Sequence, residues 1–166
     1  MTVLRKVLSC MILASAVVYA ARTLAAQSTD APFTLTLSAK TYEFRAGSDV
    51  KITIVQTNTS KQTIDCTYRG SGGVDHEYNY EVRDEDGNLA EKAVRPNMDL
   101  EPEDSHACGI APGESRTEGI KLSRVYKFDR PGKYVVQVSR YFPDITDEKG
   151  RPLKVQSNTI TITITG

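Results

Sequence analysis

The chain has 166 residues, with 21 Lys or Arg against 21 Asp or Glu, a formal balance of zero. That balance argues against a nucleic-acid binder, which usually shows a basic stripe, and the sequence gives no polybasic patch for an anionic membrane. The length suits one domain, large enough to bury a core of its own.

In chain order, the first 26 residues differ in kind from the rest. Arg5 and Lys6 open them, an apolar run extends from Val7 to Ala21, and Arg22 precedes the small residues Ala25 and Ala26. A charged start, a short apolar middle and a small-residue end are the parts of a secretory signal peptide. The run falls short of the roughly 20 residues that a membrane-spanning helix needs. Residues 1–26 are therefore expected to be removed, leaving 27–166 as a single exported domain, periplasmic or extracellular, without a membrane attachment. An uncleaved anchor is the alternative. Lipoprotein processing at Cys10 is disfavoured, because most of the apolar run follows that cysteine. Losing Arg5, Lys6 and Arg22 but no acid leaves the mature chain mildly acidic.

After residue 32 the main signal is alternation. Phe33, Leu35 and Leu37 alternate with polar residues, as do Val50, Ile52 and Ile54, and then Tyr78, Tyr80 and Val82. Ile120 and Leu122 repeat the pattern briefly, Tyr134, Val136 and Val138 more fully, and Ile160, Ile162 and Ile164 close the chain with it. Runs of period 2 predict half-buried strands, and their β-branched and aromatic residues suit a pleated surface. NTSK (58–61), RGSGG (69–73), DEDGN (84–88), APGE (111–114) and RPGK (130–133) supply turn chemistry between them. Only SRVY (123–126) hints at a single helical turn. The pattern predicts an all-β fold, an antiparallel immunoglobulin-like β-sandwich of about seven strands. Tyr134, opening a late strand after Pro131 and Gly132, fits the tyrosine corner of such sandwiches, its hydroxyl bonding a backbone group upstream. The final strand is expected at a sheet edge. Residues 95–113 show the least pattern and are expected to form the long loop.

Two cysteines, Cys66 and Cys108, remain after the leader. In an oxidising compartment they are expected to form one disulfide, worth about 4 kcal/mol if its effect is entropic. His76 and His106 are the imidazoles available with those thiols for a metal. Bridging would remove the thiolates, so neither a metal nor any other cofactor is expected. DEDGN lacks the distal glutamate of a calcium loop and is expected to be a hairpin turn. Neither HExxH nor GxSxG occurs. The acids Asp99, Glu101, Glu103 and Asp104 lie on one polar stretch with no facing partner for carboxylate-pair hydrolysis. No enzyme activity is expected. Arg124, Tyr126, Arg130, Arg140 and Tyr141 cluster in sequence, and Tyr and Arg are common interface anchors. They are the candidate contact residues for a protein partner.

The order AGSDVKITIVQTNTS (46–60), YEVRDEDGN (80–88), APGES (111–115), KLSRVYKFDRPGKYVVQVSR (121–140) and SNTITITIT (157–165) resembles small bacterial exported Ig-like domains. It is also similar to the sandwich domain that precedes the catalytic domain of some deuterolysin-type metallopeptidases, and more loosely to BsuPI-type proteinase inhibitor domains. The peptidase part is missing, so the resemblance implies an accessory or binding role rather than a reaction. The expected function is non-enzymatic protein interaction in the cell envelope or outside the cell. The alternatives are protease inhibition through 95–113 and metal binding through His76, His106 and the thiols.

Overall fold

The computed structural model describes residues 31–65, 68–71, 78–94, 103–106, 108–147 and 149–166. The expected signal peptide, Cys66 and His76 lie outside the described residues. Among the described residues there are twelve strands: β1 (Phe33–Ser38), β2 (Glu43–Arg45), β3 (Lys51–Asn58), β4 (Ile64–Asp65), β5 (Tyr68–Ser71), β6 (Asn79–Arg83), β7 (Glu103–His106), β8 (Gly109–Ile110), β9 (Ser115–Lys121), β10 (Gly132–Thr146), β11 (Pro152–Gln156) and β12 (Ile160–Thr165). The only helical piece among the described residues is a 3-10 turn at Leu122–Arg124, overlapping the turn expected at SRVY.

The alternating runs become β1, β3, β6, β9, β10 and β12, and they build two facing sheets. One has the order β1-β3-β9; the other runs β11-β10-β12-β2, with β6 on the free flank of β10. Their inward sets meet as one core, among them Phe33, Leu35, Ile52, Ile54, Ile120, Val82, Val136, Val138 and Ile162. The all-β sandwich is as expected, with more strands among the described residues than the seven expected. β12 is not an edge strand, because β2 pairs with it in parallel, Ile164 facing Phe44. Three residues of EFR carry too little alternation to announce a strand, so only the packing of the chain against β12 defines it.

The 95–113 stretch is not one loop. β7 pairs with β5 and β8 with β4, both antiparallel. These short pairs continue the β3–β9 ribbon past a break at Asn58. The buried Asn58 side chain holds that break: its Nδ2 donates to the carbonyls of Gln62 and Ile110, both at 2.7 Å, and its Oδ1 accepts from Ser60 N and Oγ. Every polar atom of the amide is used, as burial requires. The DEDGN segment is the expected turn, with Gly87 at φ 82° and Asp84 Oδ1 accepting from the backbone N–H of Asp86 and Asn88.

β11 and β12 lie along the same flank of β10 but are offset by one residue, Gln156 facing Ser139 and Ile160 facing Val136. Ser157 spans the offset. Its N–H donates to Val138 O at 2.8 Å, and its Oγ takes the Val138 N–H at 3.0 Å. The extra residue is a bulge, and it swings the Asn158 side chain away from its own sheet toward β1.

Candidate functional site

The five predicted contact residues do not form one patch. Tyr126 is 3% exposed and Arg140 7%, so neither can present itself to a partner in this fold. Arg124 and Arg130 are exposed at one end of the sandwich, beside the start of β10. Tyr141 is exposed much further along β10, which at 3.3 Å per strand residue puts it roughly 30 Å from Arg130. Residues adjacent in sequence are separated here because a single extended strand carries them.

Both buried members have structural partners. The Tyr126 hydroxyl donates to Tyr80 O at 2.7 Å, joining the segment after β9 to β6. Arg140 points between the sheets, where Nη1 donates to Gln56 Oε1 at 2.9 Å. Its guanidinium lies over the rings of Phe142 and Tyr78, with centroids 4.9 and 5.6 Å away. Phe142 in turn packs on Phe33, ring centroids 3.9 Å apart. A buried cation is costly unless it is bonded and stacked, and Arg140 is both. Across β3 from this cluster, Arg116 Nε meets Glu118 Oε1 at 2.5 Å and Arg116 Nη1 reaches Cys108 Sγ at 3.3 Å. Inward charge on β9 also makes that strand a poor template for edge-to-edge pairing. This polar end of the interior serves packing: each described charge there is aimed at a neighbouring side chain.

Tyr134 meets its expected role. Its hydroxyl donates to Arg130 O at 3.1 Å, four residues upstream, and its ring stands edge-on to Phe128. Burial pushes the hydroxyls of both Tyr126 and Tyr134 above the usual tyrosine range, helped by Glu81 beside the first and Asp129 beside the second. At the same end, Asp49 takes a 2.7 Å ion pair from Lys121, which holds its carboxyl below the usual range.

What remains open to a partner is the outer face of the five-stranded sheet. Tyr141 is 49% exposed and Val135 39%. Lys154, opposite Tyr141 across β10 and β11, lays its ammonium 5.6 Å from the ring centroid. Between these two residues Gln156 donates to Gln137 Oε1 at 3.3 Å, and Gln137 donates to Ser157 O at 3.0 Å. Glu81 and Arg83 pair at 2.6 Å on the neighbouring β6. The face is a flat, amide-rich surface with one aromatic ring and one large aliphatic side chain. Sequence reasoning selected Tyr141 but missed Val135, Gln137, Lys154 and Gln156, although the wet phase of the β10 alternation names the first two.

Among the described residues no group of three or more His, Cys, Asp or Glu gathers in a way that could hold a metal. His106 sits in β7, with its backbone opposite Tyr68. No helix of the described residues is long and apolar enough to cross a membrane.

Comparison with known proteins adds little to this geometry. No family model matches the sequence, and no curated protein matches it significantly. Among solved structures it is similar to the solution NMR structure of the CARDB domain of a Pyrococcus furiosus protein, at 9% identity and a TM-score of 0.42, covering 81% of this chain and 94% of that one. Nothing in these comparisons ties the chain to the deuterolysin-type accessory domain or to BsuPI-type inhibitors.

Proposed function

We propose that the chain is an exported, non-enzymatic binding module that meets a protein partner with the outer face of its five-stranded sheet. The observation that carries this is the division of labour along β10. Its inward phase, including Arg140, is consumed by the core, while its outward phase leaves Val135 and Tyr141 exposed on the outer sheet face. Aromatic side chains set among near-neutral polar neighbours are the usual composition of interface centres. Of the five residues that sequence alone suggested, Tyr141 stays in the proposal as part of this face, and Arg124 and Arg130 stay only as a separate charged end.

Protease inhibition through 95–113 is less well supported, because two pieces of that stretch are tied into ladders. The Cys66–Cys108 bridge belongs to the proposal, and register supports it. Asp65 pairs with Gly109 at the end of one short ladder and Tyr68 with His106 at the start of the next, and positions 66 and 108 fall between them. The chain neighbours of the two cysteines are thus paired on both sides, which favours the short separation that a disulfide needs.

The test uses residues 27–166 as bait in native envelope and culture-fluid fractions, read by quantitative mass spectrometry, with Tyr141→Ala as a second bait. One stoichiometric partner retained by the parent bait and lost by the variant is the expected result. A partner held equally by both baits would move the interface elsewhere, and no partner in either fraction would sink the proposal.

A further inference from the structure

We draw no further inference here: the strongest candidate, the buried Gln56 amide beside Arg140 in the polar end of the sandwich interior, leaves its Nε2 without a hydrogen-bond partner among the described residues, and nothing in the structure shows what would meet it.

Discussion

Asn158 joins the two sheets by acting as a short piece of strand. Its Oδ1 accepts from Leu37 N at 2.8 Å and its Nδ2 donates to Leu37 O at 3.0 Å, across 121 residues of sequence. The amide thereby satisfies both backbone groups of a β1 residue whose side chain is already in the core. Replacing Asn158 with Ala leaves that N–H and C=O unmet, at a cost of about 1–3 kcal/mol. Urea unfolding should show a lower midpoint with an unchanged slope. A midpoint equal to the parent's would mean that the bridge is not formed in solution.

Arg140 contributes a stem, a stack and a hydrogen bond, and two variants separate these. Arg140→Ala removes all three and should destabilise by about 3 kcal/mol, as for other buried groups that leave a cavity and an unmet partner. Arg140→Met keeps the aliphatic stem against Phe142 and should recover part of that loss. Equal destabilisation by both would place the stabilisation in the guanidinium's stack and hydrogen bond rather than in the stem.

Alkaline stability follows from the two buried tyrosines. Tyr126 and Tyr134 have folded-state pKa values raised above their unfolded value, so the neutral form is favoured in the native state. Their contribution is complete below the unfolded tyrosine value, about 10, and is lost as pH rises through the raised folded values. The tyrosinate absorbance of the buried pair should accordingly appear above pH 10, together with unfolding. Its appearance near pH 10 with the fold intact would contradict this.

In acid the sign reverses. Asp147 is held below the usual carboxylate range, first by its hydrogen bond from Arg151 and then by the backbone N–H groups of Arg151 and Lys149. Its contribution to the β10–β11 turn is present above the unfolded aspartate value of about 3.9 and fades as pH falls through the lowered folded value. Asp147→Asn should flatten the acid limb of the stability curve. It should also weaken the turn at neutral pH, because the paired 2.9 and 2.7 Å contacts from Arg151 lose their charge.

Tyr141→Ala should leave the unfolding midpoint almost unchanged, within about 0.5 kcal/mol, because the ring packs on solvent-exposed Lys154 rather than on the core. Partner affinity should fall tenfold or more if the ring is an anchor. Calorimetry on the captured partner reads the second quantity, and circular dichroism melts read the first.

Much of the fold was legible because alternation is a local property. A strand's inward and outward sets follow from its own residues, so β1, β3, β6, β10 and β12 could be placed without knowing what they face. The same phase that put Val136 and Val138 inside also put Arg140 inside. Its charge made it look like a surface residue, but position on the pleat decided its burial once Gln56 and two rings supplied partners. Tyr134 was legible for a similar reason: its bond reaches only four residues back along the chain.

The sequence by itself determined the alternating strands, the turns between them and the corner tyrosine, since each depends on neighbours a few residues away. Only the tertiary structure decided that β2 covers β12, that the stretch before β9 is tied into ladders, and that Asn158 reaches β1. It also decided that Tyr141 and Arg130 stand far apart while Tyr126 is buried against β6. Those outcomes rest on contacts between segments distant in sequence, where the gain from satisfying buried polar groups and covering apolar ones is set by the partner surface, which no local pattern encodes.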